Sequence, residues 1–414
     1  MAERAKEALA NFVGARDPRP VVVYAADRCA PARGGVQSYV EQLIDCLADR
    51  FRFVILTATR DAAGLDEAIM RPEPPVIERR EKGSRDALVV SARLHATAAA
   101  AYRRRCEDEQ NANAEHSMAY HVNRWQTMQF LARLLASELG VIPCSNVIVH
   151  AMGPWEMSLT ADRVFPSARR VVTPFIHPGH WGDDPDSVTW LRDADRIVAL
   201  TSADQAVCAS TGLPPERTVV VPVPYARRAA RSMSGPRDIV AFVGVNRPYK
   251  GVDVFLAAAE LIAPSWPQVE FVLMTSPPQG AEAQVIPIAH GPIRWVNSPT
   301  NRERDELLGR SVCLVLPSAT EISPYVVLEG WDHGVPAIVS NDAHFRSFVG
   351  GGGICVPREA GSVAAAMTHV LSGSVDTRRM VVAGRRRLEE LHKPSSVAAL
   401  MTWVYQGAST QISP

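Results

Sequence analysis

The chain is punctuated by short runs that are apolar and β-branched without polar alternation. They are Val21–Ala25, Phe51–Thr57, Val147–His150, Val171–Phe175, Ile197–Leu200 and Val219–Val221, followed by Ile239–Val243, Glu270–Thr275, Ile293–Val296, Cys313–Leu316, Ala337–Ser340 and Ile354–Val356. A strand with one face in water alternates; a strand that does not is covered on both faces. Between the runs lie helical patterns. Val36, Tyr39, Val40, Leu43, Ile44 and Leu47 recur at three- and four-residue steps after the first run, and Val252, Phe255, Leu256 and Ala259 do so after the seventh. Strands alternating with helices predict βαβ units, parallel sheets and an α/β fold.

The polar stretch Tyr225–Asp238 divides the runs into two sets, and 414 residues suffice for two cores. Two doubly wound domains are expected, over 1–228 and 236–392, with a last helix and tail over 393–414. Residues 76–140 show no strand pattern. Met128, Leu131, Ala132, Leu135 and Leu139 share a helical face that stops at Gly140, and Ala87–Glu109 also reads as helix. A helical elaboration of the first domain is therefore expected over 76–140.

Lys+Arg and Asp+Glu both number 44, so no bulk charge draws the chain to nucleic acid. No apolar run approaches the ~18 residues of a membrane span, and the charged start lacks a signal-peptide pattern, so a cytoplasmic protein is expected. The seven cysteines are scattered without a C-x-x-C, which argues against a disulfide framework or a zinc ribbon. Oligomeric state is left open.

Three stretches can carry chemistry. Gly34-Gly35 precedes the first amphipathic helix, where glycine admits a ligand close to the backbone and helix amides can meet an anion; a tight turn is the plainer alternative. The loop Gly244–Gly251 (GVNRPYKG) follows the seventh run. It puts Arg247 and Lys250 at the carboxyl end of a parallel strand, where two cations suit a diphosphate or simply face solvent. Only four lysines stand beside the arginines, so a lysine in such a loop suggests use of its compact charge. The third stretch is Cys313–Ser340 (CLVLPSATEISPYVVLEGWDHGVPAIVS). Ser323 as N-cap and Pro324 as first helical residue predict a helix through Asp332. Glu321 then stands just before the helix and Glu329 on its second turn. Carboxylates suit vicinal sugar hydroxyls, although Glu321 could merely complement the helix dipole and Glu329 face solvent. In the loop after Phe175, His177 and His180 lie three apart near Asp183 and Asp184; Pro178-Gly179 breaks any helical histidine pair, so no metal is expected there.

The E-x7-E spacing of Glu321 and Glu329, with Pro317-Ser318 before it and Gly334-Val335-Pro336 after it, resembles the retaining nucleotide-sugar glycosyltransferases of family four. FVGVNRPYKGVDVFLAAAELI is similar to that family's phosphate loop, and RGGVQSYVEQLIDCLA to its glycine loop. The resemblance implies two Rossmann-like domains facing a cleft (the GT-B class), with the C-terminal helix returning toward the first domain. It implies a nucleoside-diphosphate sugar donor in the second domain, an acceptor small molecule or glycan, and no required metal or other cofactor. By position, Glu329 would hold the ribose and Glu321 the donor-sugar hydroxyls. Arg247 and Lys250 would hold the diphosphate, with Gly244, Val296, Ser323, Tyr325 and Val326 lining the donor. Gly34, Gly35 and His177 would face the reacting centre. Three positions depart from the pattern: Val245 stands where an arginine is usual, Ser323-Pro324 where an aromatic-glycine pair is usual, and Val223-Pro224 where an asparagine-glycine pair is usual. The loss of the loop arginine and of the helix-entrance glycine favours, as an alternative, a relative that binds a nucleotide sugar or glycan without transfer. A sugar-nucleotide epimerase or phosphorylase on the same architecture is a third reading.

Overall fold

A computed structural model of the chain describes residues 2–28, 34–59, 76–82, 85–91, 133, 135–153, 155–177, 191–227, 236–275, 285–288 and 291–407. They form two compact units, Met1–Pro224 with Pro394–Pro414, and Tyr225–Lys393.

The first unit is built on an eight-stranded sheet. Its strands are β1 (Val21–Arg28), β2 (Arg52–Thr59), β3 (Val76–Lys82), β4 (Arg85–Ser91), β5 (Val147–Met152), β6 (Arg169–Thr173), β7 (Arg196–Ala199) and β8 (Thr218–Val220), in the order β3-β4-β2-β1-β5-β6-β7-β8. All pairings are parallel except β3 with β4. Every residue of β5 is buried, as its unbroken apolar run requires. Helices α1 (Ala2–Val13), α2 (Gly35–Leu47), α3 (Trp155–Val164) and α4 (Ser202–Ser210) accompany the sheet. Tyr39, Val40, Leu43, Ile44 and Leu47 are the buried face of α2, as their spacing predicts.

The expected helix over Ala87–Glu109, and the helical elaboration over 76–140, need correction at their start. Val76–Lys82 and Arg85–Ser91 form an antiparallel hairpin. β4 fills the open edge of β2, pairing Phe53 with Ala87 through Thr57 with Ser91. The run ALVVS fits a helical face locally, but an unpaired strand edge selects the extended form. β3 (VIERREK) carries its charges as an edge strand can, which hid it from a search for buried strands. Residues 92–132 of that segment lie outside the described residues.

The second unit repeats the plan with β9 (Ile239–Val243), β10 (Glu270–Thr275), β11 (Val285–Ile288), β12 (Gly291–Asn297), β13 (Ser311–Leu316), β14 (Ala337–Ser340) and β15 (Gly353–Val356), ordered β11-β12-β10-β9-β13-β14-β15. Again only the edge pair, β11 with β12, is antiparallel. β11 contains Pro287, tolerated because the strand lies at an edge. The helices are α5 (Val252–Ile262), α6 (Asn301–Gly309), α7 (Tyr325–Asp332), α8 (Ala343–Val349), α9 (Ala360–Leu371) and α10 (Thr377–Glu390). In each sheet the chain winds outward on one side and then returns to the centre to wind the other way. The reversal falls between β1 and β5 in the first unit and between β9 and β13 in the second. Open α/β sheets bind ligands at the strand carboxyl ends beside that reversal.

The polar stretch Tyr225–Asp238 begins as packed structure of the second unit. Tyr225 is buried, its N–H donates to His392 O (2.7 Å), and its hydroxyl donates to Asp332 Oδ2 (3.3 Å).

Helix α11 (Pro394–Gln406) belongs to the first unit, where it packs on α2. Its Tyr405 enters a buried polar chain. The Tyr405 hydroxyl donates to Tyr24 (3.2 Å), so His150 Nδ1–H donates to Tyr405 (2.7 Å) and His150 Nε2 accepts from Thr173 (2.8 Å). Burial drives the His150 pKa down to about 3, which keeps the ring neutral. Tyr405→Phe would leave two buried partners with a lost bond. A loss of about 1–3 kcal/mol in unfolding stability is expected, measurable by denaturant titration at pH 7. A neutral outcome would mean that the chain contributes no net stability.

Candidate functional site in the second unit

The loops after β9 and β13 flank the reversal, and the sequence locks them together. Gly251 ends a short turn, Pro248–Lys250, with φ 74° and ψ 35°, a left-handed conformation suited to glycine. A Cβ there would fall against the Pro317 carbonyl oxygen of the other loop. Ala319 N–H donates to Tyr249 O (2.6 Å). Arg358 clamps both loops, donating from Nε to Pro317 O (2.9 Å) and from an amino nitrogen to Pro248 O (2.8 Å). Gly251→Ala therefore meets both a strained φ, of about 1–2 kcal/mol, and a backbone clash. A marked fall in melting temperature, together with weaker ligand binding, is expected by calorimetry.

Within this frame Lys250 Nζ pairs with Glu321 Oε1, and Ser318 Oγ donates to the same carboxylate oxygen (3.1 Å). The two charged side chains are only 16% and 12% exposed. Burial pulls the Lys250 pKa down, but the Glu321 carboxylate and Tyr249 together outweigh it and the net shift is upward, so the ammonium stays charged. The sequence placed these residues at one site but did not foresee that they neutralise each other. Arg247 is exposed at the mouth of the turn.

Helix α7 starts at Tyr325, one residue later than expected. Pro324 takes the N-cap place with φ −73° and ψ 108°. Ser323 makes no side-chain cap; its Oγ is shielded and has no hydrogen-bond partner among the described residues. With the helix beginning at Tyr325, Ser323 stands one residue outside the N-cap place that its side chain was expected to fill. Tyr325 and Val326 supply the first amides of α7.

Glu329 is buried on α7 (7% exposed), not on a solvent face. Its Oε1 accepts from Arg304 of α6 at 2.7 Å, and the same Arg304 nitrogen donates to Asn301 Oδ1 (3.2 Å). Thr300 and Glu303 close a capping box that fixes the start of α6. Arg304 sits in the charge run NRERDE, which reads as a solvated helix face, and Arg358 in a loop after β15; neither carries a local signal. Gly244 and Val296 close the ends of β9 and β12.

Gly34, Gly35 and His177 lie in the first unit. Gly34 is extended (φ 168°), and a Cβ on Gly35 would meet nothing within 4 Å, so no left-handed turn demands either glycine. His177 is half-buried two residues beyond Phe175, which has φ 51°. A bulky residue there stores strain at the end of β6. His180, Asp183 and Asp184 lie outside the described residues, and the described residues contain no cluster of metal-ligating side chains. No described helix is long and apolar enough to cross a membrane.

Residues 237–373 match the family described as Glycosyl transferases group 1. A mannosyltransferase of Mycolicibacterium hassiacum, MMP alpha-(1->4)-mannosyltransferase, is 24% identical over 231 residues, covering 54% of this chain and 56% of that protein. A phosphatidyl-myo-inositol mannosyltransferase of Propionibacterium freudenreichii is 29% identical over 120 residues, covering 28% of this chain and 29% of its own. The chain thus spans about half or less of the curated relatives it matches. Among solved structures, a trehalose-6-phosphate protein from E. coli bound with UDP-2-fluoro glucose gives a TM-score of 0.68 at 14% identity, over 93% of this chain and 99% of that one. Sucrose-phosphate synthase from Thermosynechococcus elongatus gives 0.65 at 15% identity, over 94% and 98%. An Anabaena protein solved with UDP and glucose gives 0.64 at 11% identity, over 94% and 100%. With the β9–β13 reversal, the interlocked loops and these likenesses together, residues 237–373 of the second unit are similar to the group 1 glycosyl transferases and the chain has the GT-B fold.

Proposed function

We propose that the protein transfers a sugar from a nucleoside-diphosphate sugar to a hydroxyl-bearing small molecule or glycan, with retention of anomeric configuration. The observation that carries this reading is the Lys250–Glu321–Ser318 cluster at the β9–β13 reversal, with the buried Glu329 eight residues on. Departure of a nucleoside diphosphate builds charge on the leaving phosphate. Lys250, Arg247 and the first amides of α7 are the groups offered to that charge, the largely buried Lys250 together with the exposed Arg247. Their positive charge is the basis for proposing that transfer needs no added metal. Glu321, already held by Lys250 and Ser318, is oriented to accept from hydroxyls of the donor sugar. Glu329, held by Arg304, is oriented to accept from ribose hydroxyls. Gly244, Val296, Ser323, Tyr325 and Val326 line the donor. Retention would follow from attack on the face the diphosphate leaves, with the leaving phosphate oxygen taking the acceptor's proton.

The test is a thermal-shift screen with UDP, GDP, ADP and dTDP, then their glucose and mannose conjugates, with and without EDTA. One nucleotide is expected to raise the midpoint by linkage, and its conjugate to yield an α-configured product by NMR with EDTA present. No shift with any nucleotide would sink the donor site. A shift abolished by EDTA would sink the metal-independent form, and an inverted product the retaining form.

A further inference from the structure

The Lys250–Glu321 pair joins two loops that come from different strands. Lys250 ends the turn after β9, and Ser318 and Glu321 stand in the loop after β13. Their attraction draws the loops together only while Lys250 has no other anion. A diphosphate that takes up Lys250 competes with Glu321 for the same ammonium. The ion pair is therefore not what keeps the turn in place at that moment.

Arg358 is placed to do so. It follows β15, which lies two strands from β13 in the sheet, and it is 41 residues from Pro317 and 110 from Pro248. Its Nε donates to Pro317 O (2.9 Å) and an amino nitrogen to Pro248 O (2.8 Å). Pro317 directly precedes Ser318, and Pro248 opens the turn that Lys250 ends. Both acceptors are main-chain carbonyls, so the grip falls on the backbone of each loop and not on the side chains offered to a ligand. The Asp253 carboxylate is 3.8 Å away and 76% exposed, a contact worth little. A guanidinium presents its donors in a rigid planar fork, which a lysine ammonium lacks. Under this clamp Gly251 sits against the Pro317 carbonyl, and Ala319 N–H reaches Tyr249 O (2.6 Å).

We infer that Arg358 is a positioning residue: it holds the Lys250 turn to the Ser318–Glu321 loop by their backbones, so that Lys250 exchanges Glu321 for a diphosphate without the loops parting. The inference rests on the donor reading above and adds to it a residue that acts through Lys250.

The test uses the full chain as wild type, Arg358→Gln, Arg358→Lys and a pair deletion (Lys250→Met with Glu321→Leu), and each arginine variant combined with that deletion. Hydrogen exchange reads the clamp without a ligand. The Ala319 amide is expected to exchange about 10-fold faster in both arginine variants, the scale of one charge-assisted hydrogen bond, and to keep its protection in the pair deletion. Calorimetric titration with UDP, UMP, GDP and GMP reads the consequence. For the base that binds, Arg358→Gln is expected to weaken the diphosphate by about 10-fold, to weaken the monophosphate less, and to add nothing in the pair-deleted background. An arginine that merely supports the fold would weaken both nucleotides alike and add its effect to that of the pair deletion. Arg358→Lys keeps the charge without the fork and should behave as Arg358→Gln does; if the glutamine variant does not fold, the lysine variant carries the same comparisons. Wild-type exchange or wild-type diphosphate affinity in Arg358→Lys overturns the clamp and leaves the donor reading standing. So do fast Ala319 exchange in the pair deletion, equal loss of mono- and diphosphate, and additive losses. A wild type that binds neither diphosphate overturns the donor reading and the positioning role with it.

Discussion

Lys250→Met is expected to lower the transfer rate by about 10²–10³-fold, the usual effect of deleting one preorganised group that meets leaving-group charge. The same substitution strands Glu321, whose side chain is 12% exposed, without its cation. Breaking one partner of such a pair costs about 3–5 kcal/mol, and replacing both with apolar groups recovers much of that. Lys250→Met and Glu321→Leu should therefore each melt well below the wild type, while the double variant melts closer to it. Activity should stay lost in all three. This split separates structure from chemistry through a double-mutant cycle in melting temperature and initial rate. If the double variant regained transfer, neither residue would serve the donor. If the single variants melted like the wild type, the pair would be screened by solvent despite its burial.

Asp204 carries the second large effect, through pH. It lies fully buried in the first unit, where burial raises its pKa from 3.8 to about 7 against the opposing bond from Leu200 N–H (2.7 Å). Its other oxygen, Oδ1, has no partner among the described residues. A carboxyl with a raised folded pKa binds its proton longer in the native state than in the unfolded chain. Stability is then full below about pH 4 and falls as pH rises toward 7, levelling off once the native carboxyl has also ionised. Each tenfold change in proton affinity is worth ~1.4 kcal/mol, so the loss attributable to this one group is at most about 4 kcal/mol. Asp204→Asn keeps an acceptor for Leu200 and cannot ionise. Urea unfolding between pH 5 and 8 should show a decline in the wild type that the variant lacks. Parallel curves would mean that Asp204 is ionised in the native state throughout. Thr201 Oγ1 accepts from Asp204 N–H (3.0 Å), so the residue also sits in the cap of α4, which explains an acid at that position but not its burial.

The legible part of this protein was its periodicity. A short apolar run without alternation, bounded by turn residues, fits a strand covered on both faces, so the central strands of both sheets and the buried face of α2 could be read directly from the sequence. The E-x7-E spacing and the K-G turn were legible for a related reason. Each depends on residues close in sequence, and the αL conformation of Gly251 is a local demand that glycine meets. The edge hairpins were not legible. β3 is charged and β11 holds a proline, and both are strands because a neighbouring edge offers hydrogen bonds and not because of their own pattern.

The sequence by itself determined an α/β chain of two parallel sheets, the chemistry-bearing loops of the second unit and the helix that carries Glu329. Tertiary structure alone decided which charges meet. Lys250 and Glu321 are 71 residues apart and Arg304 and Glu329 are 25 apart, and no periodicity connects either pair. The parallel order of β9, β13 and β14 brings their carboxyl ends to one edge. Pairing across a sheet is a property of strand order, and strand order is fixed by packing over the whole unit, beyond the reach of any local run of residues.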